Sequence, residues 1–120
     1  MATGEVNDFP LSDNFRLREF QCACCGQVKL HPYLVQRLQA LRERLGRPVL
    51  INSGYRCKKH NAAVGGAPQS LHLEGMAADI RVAGIAASKL GHLSEALGFT
   101  GIGIYPGFVH VDIRPGKARW

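Results

Sequence analysis

Two short segments constrain the fold of this chain more than anything else in it. MAADIRV (residues 76–82) and FVHVDI (108–113) both alternate between aliphatic and other residues. A period of two marks a β-strand with one face turned into a core. In the first segment Met76, Ala78, Ile80 and Val82 share a face, and Ala77, Asp79 and Arg81 share the other. In the second, Val109, Val111 and Ile113 oppose Phe108, His110 and Asp112. Two strands that feed one core present their remaining side chains on one common face, which brings Asp79 and His110 together. His72 sits in the loop just before the first strand, where Gly75 permits a sharp turn.

Two imidazoles and one carboxylate are the ligand set of an open zinc site, in which a fourth position is left for water. The same three residues also suit a hydrogen-bonded core or surface pair, and spacing alone does not choose between the two. The alternation adds weight to the metal reading because it predicts the convergence of Asp79 and His110, with His72 in the adjoining loop, rather than assuming it.

The rest of the chain reads as one small α+β domain. HPYLVQRLQALRERLG carries Leu34, Leu38, Leu41 and Leu45 at helical spacing, with Pro32 in its first turn and Gly46 as its terminator. A short helical turn is expected at FRLREF, capped by Ser12 or Asp13, and a short strand at PVLIN. SGYRCKKHNAAVGGAPQ reads as a long glycine-punctuated loop, a type more often functional than idle. Residues 83–97 read as a second helix, weakened by Gly91 and stopped by Gly98. GIGIY and FVHVDI form a hairpin about Pro106-Gly107. Gly101 and Gly103 on the site-facing side leave room for a substrate backbone. The expected architecture is a mainly antiparallel sheet holding the site, with two helices on its other face. Residues 1–13 are expected to be a loose lead-in and 14–120 the domain.

A chain of 120 residues supports one core. Its net charge of +6 favours an anionic partner: nucleic acid, a membrane surface or a teichoic-acid-bearing cell wall. The basic residues are dispersed, so they permit such attachment without specifying it. No apolar stretch reaches the length of a membrane span, and no membrane insertion is expected. MATGEVNDFPLSDN lacks the regions of a signal peptide, so synthesis in the cytoplasm is expected. Cys22, Cys24, Cys25 and Cys57 include one C-x-x-C spacing but no second pair. Cys57 follows Arg56 and can lie close to the others, so free thiols, a disulfide from Cys57 to the cluster and a second metal are all open. Without a signal peptide, free thiols are favoured most and a second metal least.

SGYRCKKHNAAVGGAPQSLHLEGMAAD followed by GIGIYPGFVHVD resembles the zinc D-alanyl-D-alanine carboxypeptidase family, which includes murein endopeptidases and phage endolysins and shares a metal site with the hedgehog signalling domain. The pattern S-x-H-x-x-G-x-A-x-D is met at Ser70, His72, Gly75, Ala77 and Asp79, and S-G-Y-R at Ser53 to Arg56. With FRLREFQCACCG, the resemblance covers about residues 14–120. It implies a catalytic zinc held by His72, Asp79 and His110, and hydrolysis of peptidoglycan stem peptides. The enzyme would work as a monomer on the cell wall, released by a holin-type route if phage encoded.

Against the family pattern the chain departs at one point. Many relatives place Asp or Glu three residues before the last histidine ligand, and some place histidine two before it; here those positions are Gly107 and Phe108. Asp112, on the His110 face, is the candidate general base, or else it orients a ligand or pairs with Arg114. Arg56 follows the motif as anchor for a substrate carboxylate or oxyanion, or else forms an ion pair with Asp79 or Glu74. Ser70 either contacts a ligand or caps the turn, Tyr105 lines the cleft or packs, and Trp120 is expected to close the core, with sugar stacking as the alternative. Two rivals remain. One is a zinc-bearing cell-wall-binding module without catalysis, favoured by the missing acid. The other is a basic nucleic-acid-binding protein using the cysteines as a zinc knuckle, which the single C-x-x-C disfavours.

Overall fold

The structure, a computed structural model, describes residues 8–120. The first helix, α1 (Pro32–Leu45), forms where the leucine spacing places it. His31 caps it through Nδ1, which accepts from the Tyr33 N–H at 3.2 Å. Leu34, Leu38 and Leu41 are fully buried, and Gly46 ends the helix in the left-handed conformation at φ 64°. After β1 (Leu50–Ser53) the expected loop contains a short helix, α2 (Lys58–Ala63), and a 3₁₀ turn at Leu71–Glu74. Then come β2 (Ala77–Arg81), α3 (Ala87–Ala96), β3 (Gly101–Tyr105), β4 (Phe108–Asp112) and the two-residue β5 (Ala118–Arg119).

The sheet has the order β1-β2-β4-β3-β5, antiparallel except for the β3–β5 pair. Ala78, Ile80, Val109, Val111 and Ile102 meet Leu34, Leu38, Leu41 and Leu90 of α1 and α3 in one core with Phe15, Phe20 and Phe99. The opposite face is therefore free for Asp79, His110 and Asp112, as the alternation requires. Register completes the placement, with Asp79 directly opposite His110 across β2–β4 and Gly103 opposite His110 across β3–β4.

Several expectations are corrected. The second long helix begins at Ala87, not residue 83, because Gly84 sits at φ 81° in a turn that precedes it. Gly91 is tolerated because the Ile104 side chain occupies the space a Cβ would need. The glycines of β3 admit other side chains rather than a substrate. A Cβ on Gly101 would overlap the Asp112 carboxylate, and one on Gly103 would overlap the Trp120 indole. Of the expected lead-in, residues 1–7 lie outside the described residues, while 8–13 are tied down. Leu11 N–H donates to the Phe15 carbonyl at 2.8 Å, and Ser12 Oγ pairs with Gln39 Oε1 at 2.7 Å. The 3₁₀ turn at Leu17–Phe20 is capped at Arg16, whose N–H donates to Glu19, rather than at Ser12 or Asp13.

Candidate metal centre

Each of the three converging residues is positioned by a different device. His72 lies in the 3₁₀ turn, where its N–H donates to Ser70 Oγ at 3.2 Å, so Ser70 caps that turn. The His72 ring is 2% exposed, and its Nδ1 lies 2.7 Å from the Gly54 carbonyl oxygen. A carbonyl only accepts, so that contact assigns the proton to Nδ1 and leaves the Nε2 lone pair available. Asp79 comes from β2 and His110 from β4. His110 Nε2 lies 2.8 Å from Asp112 Oδ2, which holds the Nε2 proton and turns Nδ1 inward. His72 Nε2 and His110 Nδ1 then face the same oxygen, Asp79 Oδ1, at 3.2 and 3.3 Å.

One ligand atom from each of the three lies within 4.8 Å of the other two. Two inward nitrogens against one carboxylate oxygen need either protons or a cation between them. Burial opposes charge on His110, yet hydrogen bonds with Asp112 and Asp79 raise its pKa above the ordinary histidine value. Burial likewise opposes the Asp79 carboxylate, and hydrogen bonds from His110 and His72 in their protonated forms hold it well below the usual range. The donor set, with both imidazoles oriented by outer acceptors, fits a zinc ion.

Around this centre is a cavity of about 640 Å³ lined by the loop at residues 64–67 and by Arg56, Tyr105, Phe108, Arg114 and Trp120. Arg56 is held on three sides: Nε donates to Ser53 Oγ at 3.0 Å, one terminal nitrogen to Asn61 Oδ1 at 3.3 Å, and the other to Asp79 Oδ2 at 2.9 Å. A guanidinium has five N–H donors, so these bonds leave others for a ligand. Tyr105 stacks on Phe108 with ring centroids 4.7 Å apart, and its hydroxyl accepts from Trp120 Nε1 at 2.7 Å.

Asp112 is fully enclosed. Besides His110, it takes the Arg114 guanidinium through Nε at 2.9 Å and a terminal nitrogen at 2.6 Å. Burial works against this carboxylate, and hydrogen bonds from His110 and then Arg114 keep it well below the usual range. His110 and Arg114 thus enclose the carboxylate, and Asp112 is not among the residues that line the cavity. Among the described residues, the carboxylate that lines the cavity is Asp79.

Arg114 was not expected to line the cavity, and Trp120 was expected first in the core. Trp120 is 48% exposed and lies over His110 at 5.0 Å between ring centroids, not in the core. Arg114 sits over the same indole at 5.0 Å while gripping Asp112. Arg114 extends the Phe108–His110–Asp112 alternation by one step, so the sequence carried its signal; for Trp120 the signal was the absent side chain at Gly103.

A model of the peptidase M15 family matches residues 13–112. The probable peptidoglycan L,D-endopeptidase MepK of Haemophilus influenzae is 34% identical over 97 residues, covering 72% of this chain and 52% of that protein. Peptidoglycan L,D-endopeptidase MepK of Escherichia coli K12 is 34% identical over 97 residues, 73% of this chain and 53% of that one. The zinc D-Ala-D-Ala carboxypeptidase of Streptomyces albus G is 34% identical over 89 residues, 70% and 34% respectively. The chain thus spans about half the length of the first two relatives and about a third of the last.

Proposed function

Because the chain belongs to the peptidase M15 family, we propose that it is a zinc-dependent peptidase acting on the stem peptides or cross-links of bacterial peptidoglycan. The observation that carries this reading is the orientation of His72 and His110 toward Asp79 beside Arg56, inside a cavity open to a peptide. His72, Asp79 and His110 would hold the zinc. When bound, zinc supplies a Lewis acid that polarises a scissile carbonyl and makes water nucleophilic near neutral pH.

The chain's own side chains do the rest. Arg56, fixed by Ser53, Asn61 and Asp79, offers its remaining donors to a developing oxyanion or a substrate carboxylate. Arg114 adds a second cation to the cavity wall, which suits the carboxylates of stem peptides. Tyr105 and Ser70 line the cavity as substrate contacts, Tyr105 through a hydroxyl whose oxygen accepts from Trp120. Asp112 acts through His110, as a positioning residue rather than a base, because its oxygens are enclosed by His110 and Arg114. A monomer acting on peptidoglycan rather than on nucleic acid is part of this proposal. Among the described residues no helix is long and apolar enough to cross a membrane. The resemblance extends to phage endolysins, and release by a holin-type route belongs to that part of the proposal.

Asp112→Asn should therefore keep the fold and weaken zinc binding by about 10–100-fold, the usual cost of losing an outer carboxylate partner. Competition with a chromogenic chelator measures this. Unchanged zinc affinity with a large loss of rate would restore Asp112 as the base.

A second reading has one observation in its favour: no carboxylate other than Asp79 is found among the described cavity residues. On that reading the domain is a zinc-bearing wall-binding module. Incubating the zinc-loaded protein with purified muropeptides, followed by mass spectrometry, decides between them. The relatives' names point to L,D and D-Ala-D-Ala bonds, and an L-Ala-D-Glu bond is a third candidate. New termini at one of these, lost with chelator, support the peptidase. Intact muropeptides with protein retained on sedimented wall support the module.

A further inference from the structure

The four cysteines, which have no part in the His72–Asp79–His110 set, come together from two separate stretches of chain. Cys22, Cys24 and Cys25 lie in a tight loop closed by hydrogen bonds from Cys22 N–H to the Gln27 carbonyl at 2.7 Å and from Gly26 N–H to the Cys22 carbonyl at 2.8 Å. Cys57 is delivered to them because Tyr55 N–H donates to the Phe20 carbonyl at 2.8 Å. Gly54 makes the approach possible, since a Cβ there would strike the Phe20 backbone.

The sulfurs are spaced as if around a common centre. Cys22 and Cys24 Sγ are 3.6 Å apart, Cys22 and Cys57 3.7 Å, and Cys24 and Cys57 3.3 Å. Cys25 Sγ lies within 4.8 Å of the other three. Tetrahedral zinc with bonds of about 2.3 Å to sulfur sets its ligands roughly 3.8 Å apart. A disulfide would join two of the four and leave the remaining pair unexplained, whereas three nearly equal separations describe one shared neighbour. Backbone N–H groups also point at the sulfurs, from Cys57 to Cys22 Sγ at 3.5 Å and from His60 to Cys57 Sγ at 3.4 Å. Such donors favour the thiolate, the form that binds metal.

We propose that Cys22, Cys24, Cys25 and Cys57 bind a second, structural zinc ion that fastens the loop at residues 20–27 to the segment carrying Arg56. Four thiolates form a closed site with no position for water, and soft sulfur ligands select a zinc-type ion over hard cations. Each thiol gives up its proton as the metal enters. The site holds Cys57 one residue after Arg56, so it fixes the backbone from which the cavity arginine projects. The inference does not depend on hydrolysis, and it holds whether the domain cuts the wall or only binds it.

The test is to strip the reduced full chain with chelator and titrate it with cobalt(II). An intense thiolate-to-cobalt charge-transfer band in the near ultraviolet is expected. It should persist in His110→Ala and vanish in Cys24→Ser and Cys57→Ser. Should those serine variants fail to fold, the wild-type protein still decides the matter. Cobalt binding with no thiolate band overturns the proposal. So does free reaction of all four thiols with a thiol reagent in zinc-saturated protein, or only two thiols titrating in chelator-treated protein that was never reduced.

Discussion

Replacing His110 by Ala should remove one zinc ion per chain and lower hydrolysis of muropeptides by about a thousandfold or more. The size follows from what a metal contributes: polarising a carbonyl is worth several kcal/mol, and each ~1.4 kcal/mol is tenfold in rate. Asp79 and His72 alone would leave two ligands, too few for a stable site. The loss should be local. Asp112 keeps its bidentate Arg114 partner, and Val109 and Val111 on either side of position 110 stay in the core. His72→Ala should act in the same direction and also cost stability, since it empties a fully buried position and frees the Gly54 carbonyl. Elemental analysis beside circular dichroism separates the two effects. Full zinc content in a folded His110→Ala protein would place the catalytic ion elsewhere.

Arg56→Ala should reduce turnover by roughly a hundredfold or more, the scale seen when one oxyanion donor is removed. Arg56 contacts Asp79 as well as the cavity, so its loss has two routes to the same rate, and the measurement must tell them apart. If it binds substrate, zinc content holds while kcat falls or KM rises. If it mainly supports Asp79, zinc affinity falls and excess zinc restores the rate. Lysine should rescue poorly, because a point charge cannot serve Ser53, Asn61 and Asp79 at once.

The convergence of Asp79 and His110 was legible because a half-buried strand writes its two faces into alternate residues, and His72 was legible from the turn at Gly75 just before β2. Core packing of Ala78, Ile80, Val109 and Val111 settles one face and so the other. Helix α1 was legible for the same kind of reason, since a leucine stripe bounded by Pro32 and Gly46 has few other uses. What was missed lacks periodicity. Helix α2 is six residues long, has no apolar stripe, and is capped by the sulfur of Cys57, a signal that no spacing rule carries. Strand β5 has two residues and exists because Ala118 and Trp120 N–H groups find the Thr100 and Ile102 carbonyls. The glycines of β3 were read as making space for a substrate backbone, since a missing side chain does not say what fills its place. Tertiary contact fills that space with Asp112 and Trp120. That Cys57 could join the other three was open in the sequence, but the turn that unites them rests on a Phe20–Tyr55 backbone bond that no spacing shows.

The most direct measurement is an anomalous difference map collected at the zinc absorption edge from crystals of the zinc-loaded protein. The account predicts a peak in bonding contact with His72 Nε2, His110 Nδ1 and the Asp79 carboxylate, whatever is found at the cysteines. Protein that cleaves muropeptides while showing no peak at those three residues would contradict it.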